Sequence, residues 1–159
     1  MLKYLKRLDY YIIILTMKVY WKDVNINKLI IINLEPKELF LESIIEVLKE
    51  KKINNSVIIS GIGTLEKLVF HRVLTRDFPP QNEFITLEAP IELSSCQGLI
   101  LDYEPHIHFV ASDLERTYSG HLEFGSKVLY LAEIVILPLK NVNLTRKLKE
   151  NNIKYIEEE

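Results

Sequence analysis

The chain has 159 residues, 48% of them hydrophobic, and a formal net charge of -2. That is enough apolar material for one globular core, and too little positive charge for a nucleic-acid surface built on phosphate neutralisation, which calls for a basic patch or stripe. The single cysteine, Cys96, excludes an internal disulfide framework and a zinc ribbon, and points to a reducing, cytoplasmic setting.

At the N-terminus, "MLKYLKRLDYYIIILTMKVYW" sets Lys3, Lys6 and Arg7 ahead of an apolar run, as a secretory signal would. Asp9 interrupts the run, Lys18 closes it and no small-residue cleavage site follows, so neither secretion nor a membrane span is expected. Residues 1–24 read as an N-terminal strand or extension, with residues 1–16 as a tail if the start is at Met17. The β-branched run at 28–33, "KLIIIN", has strand length. It leads into "LEPKELFLESIIEVLKEKK", where Pro36 suits a first helical turn and Leu39, Phe40, Ile44, Ile45, Val47 and Leu48 recur at helical spacing. Acidic residues lead and lysines trail, which predicts one long helix over 36–52.

After a turn at Asn54 and Asn55, "SVIISGIGTLEKLVFHRVL" reads as a strand interrupted at Gly61 and Gly63, where a bulge, a bend or a close backbone approach is expected. Pro79 and Pro80 mark a loop. Further strands follow in "NEFITLE", "IELSSCQGLILDY", "HIHFVASD" and "KVLYLAEIVILPL". The polar tail over 139–159 is expected to hold at most a short, fraying helix. The fold class is therefore α+β, a single domain with a mostly antiparallel β-sheet packed against one long helix.

Three of the four histidines crowd into residues 104–125, "EPHIHFVASDLERTYSGHLEFG". Alternation along a strand puts His106 and His108 on one face, with Ile107 and Phe109 on the other. His121 follows the turn "ERTYSG", the separation that a returning neighbour strand would provide, and Gly120 would let the backbones approach closely. Three neutral imidazoles with one vacant position form the ligand set of a catalytic-type zinc site, although imidazole suits other divalent transition metals too. Glu92, Glu123 and Glu133 are the candidates to complete or orient that shell. His71 stands apart and reads as ordinary structure. "SGIG" lacks the pattern of a phosphate-binding loop, and Ser94, Ser95 and Cys96 lack the surroundings of a nucleophile, so Cys96 reads as a packing residue.

Taken together, "ISGIGTLEKLVF", "PIELSSCQG", "EPHIHF" and "SGHLEFGSKVLYLAEIVI" resemble the PPC (plants and prokaryotes conserved) domain over about residues 25–138. The resemblance implies an antiparallel sheet with a helix, assembly as a homotrimer, and a metal site, commonly zinc, at His106, His108 and His121. Ser119 stands where the family usually has glycine. Three functions follow. The first is a metal-binding domain whose open coordination position takes a small anionic ligand or supports hydrolysis. The second is DNA binding, as members of the family are often described, although no hook, no helix-turn-helix and no basic surface supports it in this sequence. The third is an assembly module that presents the trimer to protein partners.

Overall fold

The computed structural model describes Tyr20 and residues 28–159; the strand or extension expected over 1–24 lies, apart from Tyr20, outside the described residues. β1 (Ile30–Leu34) enters a short turn that leads to α1 (Phe40–Glu50). The helix begins later than its periodicity predicts, because the backbone of residues 37–40 is hydrogen-bonded to the strand that follows much later and its approach. Lys37 N–H donates to Val128 O, Val128 N–H donates to Glu38 O, and Phe40 N–H donates to Ser126 O, each at 2.9 Å. Pro36 therefore sits in the preceding turn, where Lys37 adopts φ 78°. At the other end, Ile53 N–H reaches back to Leu48 O and Lys52 takes φ 55°, which satisfies the last carbonyls and stops the helix at Glu50.

α1 turns Phe40, Leu41, Ile44, Ile45 and Leu48 inward, one stripe at helical spacing. At about 1.5–3 kcal/mol for each fully buried large apolar side chain, this stripe is a main source of the helix's stability. It covers a six-stranded antiparallel sheet built from β1, β2 (Ser56–Val73), β3 (Asn82–Leu101), β4 (Glu104–Ser112), β5 (Thr117–Leu122) and β6 (Lys127–Pro138), in the order β1-β6-β2-β3-β4-β5. The far edge does not stay open. β5 also pairs with the end of β2, Phe70 opposite Leu122 and His71 opposite His121, so β2, β3, β4 and β5 close on one another.

"NEFITLE" and "IELSSCQGLILDY" prove to be one strand of 20 residues. Pro90 does not end it because the β2–β3 register shifts between Leu65 and Lys67, and a bulge is where a strand tolerates a residue without an N–H donor. β2 is likewise continuous through Gly61 and Gly63. Gly63 takes φ 151° where β6 passes so close that a Cβ would lie 2.5 Å from Leu131 O, the tight approach expected of glycine in this strand.

The tail differs from its expectation. Instead of a fraying helix it forms a hairpin, β7 (Leu144–Leu148) with β8 (Lys154–Glu158), closed by a turn in which Asn152 takes φ 59°. Buried Asn55 ties down the approach to it, accepting from Asp102 N–H, donating to Val142 O and lending its carbonyl to Leu139 N–H. Among the described residues no helix is long and apolar enough to cross a membrane.

Candidate metal centre

β4 alternates as its sequence predicts: Ile107 and Phe109 enter the core, and His106 and His108 face outward. The ladder then sets the other imidazoles beside them. His108 pairs with His121 on β5, and His121 pairs with His71 on β2, so three adjacent strands each contribute a histidine to one row. Ring centroids lie 4.5 Å apart for His71 and His121, 5.0 Å for His106 and His121, 5.3 Å for His106 and His108, and 5.8 Å for His108 and His121. Gly120 permits this closeness, because a Cβ there would lie 2.5 Å from His71 O. Phe84 leans on the outer side of His71.

Glu123 stands just beyond β5, fixed by its N–H donating to Val69 O at 2.9 Å. Its Oε1 lies 2.6 Å from His71 Nδ1 and 3.1 Å from His121 Nδ1. The side chains of His71, His121 and Glu123 are only 19%, 21% and 26% exposed. One ligand atom from each of the three lies within 4.8 Å of the others, so this group could hold a metal ion. His121 Nδ1 is buried and, despite its distance to Glu123, makes no hydrogen bond. A buried ring nitrogen without a partner is an exception that calls for an explanation such as a missing ion.

Burial pushes the pKa of His121 down to about 4, an effect that the Glu123 charge opposes and the neighbouring imidazoles reinforce. Burial also lowers that of His106, and the Arg146 charge lowers it further. Both rings are thus held in the neutral form that a metal requires.

The four histidines line one cavity of about 930 Å³. Of the carboxylates singled out from sequence, Glu123 joins the cluster. Glu92 sits opposite Thr64 and Ser112, and Glu133 opposite Ile62 and Asn33; neither lines the cavity. His71, read from sequence as ordinary structure, belongs to the cluster: only the return of β5 to β2 reveals it, a contact across 50 positions (121 − 71). Cys96 is buried and its thiol is pushed up to about 12 by burial, which suits packing and not nucleophilic chemistry.

The family model described as the Plants and Prokaryotes Conserved (PCC) domain matches residues 22–140. Among solved structures, the metal-containing protein of Archaeoglobus fulgidus is similar at 26% identity and TM-score 0.73, with 87% of this chain and 97% of that chain covered. A plant- and prokaryote-conserved protein of Pyrococcus horikoshii is similar at 24% identity and TM-score 0.73, over 88% of this chain and 98% of that one. A Bacteroides thetaiotaomicron protein named as a candidate for DNA binding shares the fold at 16% identity and TM-score 0.69, over 84% and 94%. No curated protein sequence matches the chain.

Proposed function

The chain belongs to the Plants and Prokaryotes Conserved domain family, and for this member we propose a divalent transition-metal centre, zinc first, in the histidine cluster of a homotrimer. The observation that carries the reading is the Glu123 carboxylate poised between two imidazole nitrogens, one of them buried and without a hydrogen bond. His121 is the central ligand, with His106 and His108 completing a three-imidazole set and Glu123 orienting the His121 ring from behind, as carboxylates commonly do beside metal-bound histidine. A second set, His71, His121 and Glu123, is favoured by the short distances within that group. A bound metal with an open position would supply a water of lowered pKa or a seat for a small anionic ligand.

Elemental analysis of purified variants separates the two sets. His106→Ala and His108→Ala lose stoichiometric metal under the first set and keep it under the second; His71→Ala does the reverse. His121→Ala loses it under both, and metal content that survives this substitution overturns the reading.

Support for the trimer comes from the outer face of β1, β6 and β2. Ile31 is 74% and Ile62 46% exposed, with Leu129 also uncovered, which is more apolar surface than a sheet face turned to water needs. Light scattering is expected to give three times the 18.6 kDa of the chain. DNA binding draws on the description of two structural neighbours but runs against the net charge of -2. Anisotropy that stays flat with labelled duplex at low salt removes it.

A further inference from the structure

One wall of the histidine cavity comes from beyond residue 140, where the family match ends. Arg146 on β7, and Asn152, Ile153 and Lys154 at the turn into β8, line the same space as the four histidines. The hairpin is anchored there by the cations themselves. Arg146 Nη1 donates to Glu104 O at 2.8 Å and Nη2 to Leu99 O at 3.4 Å, while Lys154 Nζ pairs with Glu104 Oε1 at 2.6 Å.

Those contacts leave capacity unused. A guanidinium has five N–H donors; two point at the carbonyls of Glu104 and Leu99, so three remain. Arg146 forms no ion pair among the described residues, and the carboxylate on its side of the cavity, Glu104, is already held by Lys154. It is half-buried, and burial works against its charge. A partly desolvated guanidinium with free donors on the wall of a cavity is suited to a carboxylate, which it can hold by two parallel bonds. Much of the remaining wall is apolar, with Val73, Pro79, Pro80 and Ile153 facing the same space.

We infer that the C-terminal hairpin makes this cavity a receptor for a small organic carboxylate: Arg146 takes the charged end, and the apolar body lies against Pro79, Pro80 and Ile153 on the way to the histidines. The inference deepens the metal reading by naming the class of ligand, and rests on it only for what the far end of the ligand meets. Recognition by Arg146 stands with or without an ion.

The test is a calorimetric titration of the full chain, metal-loaded and chelator-stripped, with isovalerate, with uncharged isoamyl alcohol, and with inorganic phosphate. Isovalerate is expected to bind about tenfold or more tightly than the alcohol, the scale of a charge-assisted hydrogen bond, in both forms of the protein. Arg146→Gln should remove that preference while metal content stays unchanged. Because Arg146 also anchors the hairpin, Ile153→Glu serves as the second variant: it adds a negative charge to the cavity without touching the anchor, and should reject isovalerate. Equal affinity for acid and alcohol, no binding of the acid, tighter binding of phosphate, or either variant behaving as wild type overturns the inference. Absence of metal from wild-type protein that still prefers isovalerate would sink the metal reading alone.

Discussion

The two ends of β2 both alternate, with register shifts between them that reset the phase, and they end in different surroundings. From Ser56 to Lys67 the strand runs between β3 and β6, turning Ile58 and Leu65 into the core beneath α1 and leaving Ile59 and Ile62 outside. From Phe70 onward its neighbours are β3 and β5; Leu68 and Phe70 still face the core, Phe70 meeting Phe109 edge-on at 5.3 Å, but the chemistry now stands outside, in His71. The inward side chains are mostly apolar at both ends. What changes between the ends is the neighbour, and the histidine site exists only where β5 replaces β6.

The comparison breaks hardest at the glycines. Gly120→Val would drive a Cβ to within 2.5 Å of His71 O and 3.0 Å of Phe70 Cδ2, so β5 must leave β2. Loss of about 3 kcal/mol or more is expected in chemical denaturation, together with loss of metal in whatever remains folded. Gly63→Ala, at the other end, faces a comparable clash with Leu131 O at a backbone φ of 151°, and is expected to cost a similar amount. Its folded fraction should nevertheless keep metal, because no histidine lies on that ladder. Equal metal loss in both variants would show that the two ends are not separable.

A smaller break lies at the handover. Ser126 is fully buried between β5 and β6, where its Oγ accepts from Val69 N–H at 2.9 Å on the stretch of β2 that changes partner. Ser126→Ala strands that donor, and a cost of about 1–3 kcal/mol is expected, with metal content lowered less than stability. A stability change near zero would mean that water replaces the hydroxyl.

These two positions also mark what could be read in advance. Alternation placed His106 and His108 opposite Ile107 and Phe109, and Gly120 was legible as a close approach, because both signals are local. His71 was not, since its neighbour His121 is set by sheet closure, a non-local event with no trace in the residues around it. The start of α1 departs from its periodicity for the same reason: Pro36 is a good first-turn residue, but backbone pairing of 37–39 with Val128 and Lys127 takes the chain first. The terminal hairpin hides because Leu144–Leu148 and Lys154–Glu158 bury no full apolar face, so neither period emerges.

The histidine end can be sharpened by pH. The pKa of His121 is depressed in the folded state to about 4 from an ordinary 6.5, so its neutral form is favoured by folding. Stability is then complete above 6.5 and declines as the pH falls toward 4, where protons bind the unfolded chain first. For metal-free protein the decline is expected to be on the order of 3 kcal/mol from this group by pH 4, and to flatten in His121→Gln, which cannot titrate. An unchanged slope in that variant assigns the decline to other groups.

The smallest effect belongs to the quiet side of the sheet. Cys96 sits on β3 beneath Gly61, where a Cβ on the glycine would touch its Sγ, and burial raises its thiol from 9.0 to about 12. Thiolate is the reactive form, so at neutral pH the folded protein should resist alkylation by iodoacetamide while the denatured protein reacts at the rate of an ordinary thiol. The sign for stability is opposite to that of His121: a raised acid pKa supports the fold below 9.0 and loses its contribution as the pH climbs toward 12. Because neither histidines nor metal touch this strand position, alkylation rates should be identical with and without metal. A rate that slows on loading would mean that the ion tightens the whole sheet and not just the end of β2 that carries His71.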